Sequence, residues 1–285
     1  MSTANASYRP LEGKIALVTG ASRGIGAAIA QNLASKGAKI ILNYTSPSSS
    51  QICIDLATKL QESYGVEHLV VQADMGSLNG PSDIIKTAAA KIPNLRLDII
   101  INNAGVLKVA KLADTTVEDF EKVYSVNVRG PLLLVKAAIP YLPNDRSGRI
   151  VNVSSVSATF GGVEQSVYGG SKAALDAMTR TWSRELADHA TVNSINPGPV
   201  LTDMMKSAMN TELRDEVQPI FKLTPLAKLR EGIDDENIVE FAKILGGRPA
   251  YAEEIAGIVG MLVSSESGWC TGQVICANGG LRLAT

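Results

Sequence analysis

"KIALVTGASRGIGAAIA", residues 14–30, decides how this chain folds. Its first half is an apolar, β-branched run of strand length, and its second half has apolar residues at helical spacing. Gly20, Gly24 and Gly26 stand at the join. Glycines there allow a tight strand-to-helix turn. They also let a pyrophosphate reach backbone N–H groups at the positive end of the helix dipole. Any tight βα turn needs glycine, so the pattern takes its meaning from its place at the first βα junction. The segment Gly20, Ser22, Arg23, Gly24, Ile25 and Gly26 therefore reads as a dinucleotide-binding loop.

Working outward, apolar runs recur at "KIILNY" (39–44), "HLVVQAD" (68–74), "LDIIINNAG" (97–105), "GRIVNVSS" (148–155), "ATVNSINPG" (190–198) and "GQVICANGG" (272–280). Amphipathic stretches of helical length fall between them, including 25–36, 51–64, 83–91 and 166–188. Alternating strands and helices imply βαβ units, and strands apolar almost throughout imply a sheet buried on both faces. The expectation is a single α/β domain over 12–285, a Rossmann-like doubly wound sheet of about seven parallel strands flanked by helices. Residues 1–11 read as a mobile leader. Residues 201–248 show helical patterns at 202–209 and 235–245 and no strand, which suggests a helical flap over one sheet edge.

Composition narrows the function classes. The chain has 285 residues, 45% of them hydrophobic and 19% charged, with a formal net charge of −1. No basic excess points to nucleic acid, and no apolar run approaches the ~18 residues of a membrane helix. Cys53, Cys270 and Cys276 form no CxxC pair, and His68 and His189 are the only histidines. A reduced, cytoplasmic protein with no metal site is expected. His189 reads as a cap or dipole partner at the end of its helix.

The end of the second strand bears on the choice of dinucleotide. An NAD site places an acid there to hold the ribose hydroxyls. This chain has Asn43, Tyr44, Thr45 and Ser46, with no acid before Asp55. Arg23 beside these hydroxyls and this amide suits a 2′-phosphate, so NADP(H) is favoured over NAD(H). The plainer alternative is a polar surface loop.

Further along, "SVYGGSK" (166–172) sets Tyr168 and Lys172 one helical turn apart on one face. "TGASRGIG" (19–26), "NNAG" (102–105), "YGGSK" (168–172) and "NPGPVLTD" (196–203) together resemble the short-chain dehydrogenase/reductase family in order and spacing. Ser155, thirteen residues before Tyr168, matches the family's catalytic serine, and Asn127 in "SVNVRG" matches its asparagine. The resemblance spans about residues 12–281, follows the single-domain branch, and implies further roles. Asp74, with Met75 after it, matches the adenine-contacting position. Asn103, Ala104 and Gly105 match the segment along the adenosine ribose. Pro197, Gly198, Val200 and Thr202 match the loop cradling the nicotinamide. Pairing of the helices near 118–142 and 166–188 between subunits, as in the family, implies a dimer or homotetramer.

The implied chemistry is carbonyl reduction, in which the protein supplies an acid and a polarising group. A lysine ammonium beside Tyr168 is expected to lower the phenol pKa from about 10. Lys172 also suits the nicotinamide ribose, Ser155 the substrate oxygen, and Asn127 a water relaying protons to Lys172. Taken singly, such residues are commonly caps or surface pairs, and only their combination with a dinucleotide loop carries the reading. Ser154 is set aside, because neighbouring strand residues point to opposite faces.

The substrate is expected to be a small to medium, largely apolar ketone or alcohol. Met204, Met205, Met209, Phe221 and Leu223 are candidates for the pocket wall. The chain also resembles 3-oxoacyl-carrier-protein reductases and fungal polyketide-pathway ketoreductases. An inactive NADP-binding scaffold is the alternative of a different class. After "TPLAKL", an insertion of about fifteen residues departs from the family pattern, as a lid or a surface elaboration.

Overall fold

The computed structural model describes residues 9–208 and 218–283. Seven strands, β1 (Ile15–Val18), β2 (Lys39–Tyr44), β3 (His68–Gln72), β4 (Ile99–Asn102), β5 (Gly148–Val153), β6 (Ala190–Ile195) and β7 (Val274–Ile275), make one sheet. Their order is β3-β2-β1-β4-β5-β6-β7, with every pairing parallel.

The near-continuous apolar strands are explained by two cores. Ala16, Val18, Ile40, Leu42, Ile99, Ile101, Val151 and Val153 face one side, and Leu17, Ile41, Ile100 and Ile150 face the other. On the first side pack α1 (Gly24–Ser35) and α2 (Ser50–Tyr64), through Ile29, Leu33 and Leu60. On the second pack α3 (Gly80–Lys91), α4 (Val117–Tyr124), α5 (Gly130–Ala138), the one-turn α6 (Ser157–Phe160) and α7 (Ser166–Glu185). Trp182, Leu186 and Met178 of the α7 region fill that core. Each fully buried leucine or isoleucine contributes about 1.5–3 kcal/mol relative to exposure.

A π-helical turn, Ser125–Arg129, joins α4 to α5. Beyond β6 come α8 (Asp203–Ala208), a helical stretch at 218–223, α9 (Glu236–Leu245) and α10 (Ala252–Leu262), the last of which packs on α1. The insertion lies behind the cleft wall: Leu245 is fully buried with Phe221 and Ala227, and Met205, Phe241 and Ile244 pack against them. Its start is pinned by Arg230 to Asp234 at 2.6 Å, and Arg248 to Glu254 at 2.8 Å ties the segment after α9 to α10.

Two sequence expectations need correction here. Leu11, assigned to a leader, is 3% exposed in the first core, and its N–H bonds the Lys36 carbonyl. His189 does not cap its helix; its Nδ1 lies 2.7 Å from the Pro143 carbonyl. Among the described residues, no helix is long and apolar enough to cross a membrane. None of their His, Cys, Asp and Glu side chains form a metal-holding group of three.

Candidate active site

The chain reverses its strand-to-strand progression between β1 and β4, and a ligand crevice is expected there beyond the strand ends. A cleft of about 1580 Å³ opens at this place. Ordinary small-molecule pockets run to ~300–1,000 Å³, so this one has room for a dinucleotide and a second molecule together.

Its floor is the glycine loop. Gly20 and Gly24 have φ of +62° and +55°, a region that side chains rarely occupy. A Cβ on Gly26 would lie 2.3 Å from the Gly20 carbonyl oxygen and 2.5 Å from Nδ2 of Asn103. Asn103 locks the loop to the end of β4, its Nδ2 donating to the carbonyls of Thr19 (2.9 Å) and Gly20 (3.1 Å). The Thr19 hydroxyl accepts from the Asn103 and Ala104 N–H groups at 3.0 Å each. Thr19 was not singled out from the sequence, where a strand-end threonine looks ordinary.

Of the proposed cofactor residues, Gly20, Ser22, Arg23, Gly24, Ile25, Gly26, Tyr44, Thr45, Ser46, Asp74, Asn103, Ala104, Gly105, Pro197, Gly198, Val200 and Thr202 all line the cleft. Asn43 and Met75 do not. Asn43 is fully buried and spends its amide on the carbonyls of Tyr44, Val71 and Ala73, so it staples β2 to β3 and has no donor left for a phosphate. Met75 is 1% exposed and fills the second core. Arg23 lines the cleft but pairs with Asp203 at 3.5 Å, bridging the glycine loop to the flap.

At the other end of the cleft, Ser155, Tyr168 and Lys172 come together. Strand β5 ends so that Ser155 faces the cleft beside Tyr168, its Oγ accepting from the Ser157 N–H at 3.1 Å. Ser154 points back, donating to the Lys172 carbonyl at 3.2 Å. Lys172 is 4% exposed, donates from Nζ to the Val153 carbonyl at 2.8 Å, and lies 5.8 Å from the Tyr168 ring centroid. Gly105 makes room for it: a Cβ there would sit 3.3 Å from Nζ.

Asn127 is not at the cleft. It is fully buried in the π-turn, its Oδ1 accepting from Val106 N–H at 2.9 Å. Its Nδ2 donates at 3.0 Å to both the Val106 carbonyl and the Ser171 hydroxyl. Both amide donors are used, so the side chain positions the 105–106 turn and α7 and cannot itself donate to a relay water. The flap supplies Met204, Met205 and Phe221 to the wall. Leu223 is 79% exposed and takes no part, and Met209 lies outside the described residues.

Gly169 and Gly170 serve packing within the chain. A Cβ on Gly169 would meet the Ser157 carbonyl at 2.8 Å, and one on Gly170 the Tyr124 hydroxyl at 2.8 Å. The two glycines seat α6 and α4 against the first turn of α7.

A family model described as short chain dehydrogenase matches residues 14–213. The chain belongs to the short-chain dehydrogenase/reductase family. It is 46% identical over 302 residues to L-xylo-3-hexulose reductase of Hypocrea jecorina, covering 97% of this chain and 99% of that protein. It is 47% identical over 298 residues to L-xylulose reductase of Aspergillus niger, covering 96% and 99%. Among solved structures it is similar to a blue fluorescent protein from a metagenomic library in complex with NADPH. That match has a TM-score of 0.80 and 31% identity, and covers 96% of this chain and all of that one. This member of the family is an oxidoreductase of CH–OH/C=O groups.

The electrostatics of this short-chain dehydrogenase/reductase site differ in one respect from expectation. Burial pushes the Tyr168 phenol up, and the group that pulls it down is the neighbouring Ser155 hydroxyl rather than Lys172. Burial likewise lowers Lys172 to about 8, partly offset by the Asp176 carboxylate one turn on. Asp176, 5% exposed, is itself pushed up by burial and held by the Ser194 hydroxyl at 2.7 Å.

A buried lysine with a lowered pKa weakens the fold while it is charged. Between about pH 8 and 10.5 the unfolded chain holds a proton that the folded chain has lost, so stability rises with pH across that window. Lys172→Met is therefore expected to melt at a higher temperature than the wild type near pH 7. That advantage should shrink toward pH 10, as read by thermal unfolding without cofactor. A lower melting temperature near pH 7 would show that the Val153 contact outweighs the burial.

Proposed function

We propose that this protein is a cytoplasmic NADPH-dependent reductase of polyhydroxylated ketones, converting a ketose-type carbonyl to a secondary alcohol. The observation that carries the reaction class is the convergence of Ser155, Tyr168 and Lys172 at one end of a glycine-floored cleft. The end-to-end likeness to two ketose reductases supports the substrate class.

The glycine loop is a cradle that side chains would fill, and its backbone suits a pyrophosphate. Arg23, Tyr44, Thr45 and Ser46 would hold a 2′-phosphate. Arg23 must then leave Asp203, and the magnitudes favour that exchange. An exposed ion pair contributes about 0–1 kcal/mol, whereas hydrogen bonds to a charged group contribute about 1.5–3 kcal/mol. When bound, the nicotinamide supplies the hydride. Ser155 donates a hydrogen bond to the substrate oxygen and holds it beside Tyr168. Tyr168 gives that oxygen its proton, and its high pKa keeps the phenol protonated and ready to donate at neutral pH. Lys172 would stabilise the phenolate left behind and hold the nicotinamide ribose, and Thr202 would bond the carboxamide.

A second reading has support in the flap. Met204, Met205, Ile220 and Phe221 form an apolar stretch of wall suited to a less hydroxylated ketone. Phe120 and Leu132, 47% and 43% exposed on α4 and α5, support assembly of a homodimer or homotetramer through that face.

The test is cofactor oxidation against L-xylulose, an aliphatic ketone and a 3-oxoacyl thioester, with NADPH and with NADH. The reading expects L-xylulose and NADPH to be the preferred pair. Preference for the thioester, or equal turnover with NADH, would contradict it.

A further inference from the structure

The cation assigned to the 2′-phosphate already faces an anion of this chain. The Arg23 guanidinium lies 3.5 Å from the Asp203 carboxylate, and both residues line the cleft. Their side chains are 59% and 66% exposed, so a ligand can reach either one. Among the described residues lining the cleft, the other cations are Lys108, Lys122 and Lys172, on the segment after β4, on α4 and on α7. Arg23 alone stands on the glycine loop, which the Ala21 N–H joins to the end of β2 by donating to the Asn43 carbonyl at 2.8 Å. The hydroxyls at that strand end have partners of their own. Tyr44 donates to Ser50 at 3.0 Å, and the Ser46 hydroxyl lies 2.9 and 3.0 Å from those of Ser48 and Ser49. How freely Arg23 can turn to a ligand therefore matters to any phosphate bound there.

The fold places Asp203 opposite it. A Cβ on Gly24 would meet Cγ2 of Thr202 at 3.2 Å, so the start of the flap packs on the glycine loop. Thr202 fixes the turn into α8, its hydroxyl donating to the Val200 carbonyl at 3.3 Å and accepting from the Met205 N–H at 3.4 Å. Asp203 is the next residue and opens α8. The two dinucleotides meet this pair differently. NADP(H) brings a 2′-phosphate, which needs the guanidinium. NAD(H) carries a hydroxyl at that position and leaves the pair intact. We propose that Asp203 is a specificity-determining residue for the cofactor, competing with the 2′-phosphate for Arg23 and so weakening NADP(H) without affecting NAD(H). At 3.5 Å the contact is longer than the ~2.7–2.9 Å of a charge-assisted hydrogen bond, so it holds Arg23 loosely and yields to a phosphate. The competition is correspondingly small, about threefold in affinity, as befits an exposed ion pair. This inference rests on the assignment of Arg23 to the 2′-phosphate in the reading above.

The test is a double-mutant cycle read by fluorescence titration of NADPH and of NADH, on the wild type, Asp203→Asn, Arg23→Met and the double variant. Asp203→Asn is expected to tighten NADPH about threefold and to leave NADH unchanged. Arg23→Met is expected to weaken NADPH about tenfold or more, and adding Asp203→Asn to it should change nothing further. All four proteins should melt within a few degrees of one another, because both side chains are more than half exposed. Unchanged or weakened NADPH binding in Asp203→Asn, or an equal gain for NADH, overturns the role of Asp203. A gain that persists in the Arg23→Met background also overturns it, since plain repulsion of the phosphate would then be the cause. Arg23→Met that binds NADPH as tightly as the wild type overturns the assignment of Arg23 itself, whatever Asp203→Asn does.

Discussion

Replacing Tyr168 with phenylalanine lowers the rate of carbonyl reduction by about 10²–10⁴ while NADPH binding stays near the wild-type value. The prediction follows from the geometry at the end of β5. Only the phenol hydroxyl is removed, and it is the group beside Ser155 in the cleft that can hand a proton to an oxygen held there. The ring that remains still packs against Lys172, so that ammonium keeps its bond to the Val153 carbonyl. The loss should therefore fall on kcat, with the dissociation constant for NADPH unmoved. Unchanged turnover would remove Tyr168 from the reaction and overturn its role as the acid.

Gly26→Ala is the second large effect, and here two principles oppose each other. Alanine inside a helix is favoured over glycine by about 1 kcal/mol, which on its own predicts a more stable protein. The added methyl, however, would sit 2.3 Å from the Gly20 carbonyl oxygen and 2.5 Å from Nδ2 of Asn103. Neither neighbour is a free side-chain end. One is backbone in a positive-φ turn, and the other is held by two carbonyls of that turn. Overpacking of a fixed site costs about 1–3 kcal/mol, so the clash wins. The expected outcome is a lower melting temperature and a dissociation constant for NADPH raised about tenfold or more, measured by thermal unfolding and by titration. A stabilised variant with normal NADPH affinity would show that the loop yields freely.

The parts of the fold that were legible in the sequence are those where one physical demand acts on many residues at once. Strands buried on both faces must be apolar throughout, so the five central strands could be found from runs such as "KIILNY", and the partly exposed edge strands β3 and β7 from their β-branched residues. Helix α7 could be found from its length and its Tyr168–Lys172 spacing. Legibility ended where a single side chain's direction decides its role. Asn43 at the end of β2 and Met75 after β3 stand at positions that border the cleft, yet both turn inward, and no periodicity distinguishes inward from outward at a strand end. Asn127 matched a motif, but its amide is taken up by Val106 and Ser171, a fact set by the π-turn. The glycines after Tyr168 proved to face Ser157 and Tyr124, partners distant enough in sequence to leave no local trace.

The most direct measurement is a single turnover. Enzyme loaded with one equivalent of NADPH is mixed with L-xylulose, and the alcohol formed and the NADPH remaining are both counted. The account predicts one equivalent of pentitol per NADPH consumed by the wild type, and negligible pentitol over the same interval from Tyr168→Phe with its NADPH still bound. Pentitol formed at equal rates by both proteins, or NADPH consumed by the wild type without pentitol, would contradict it.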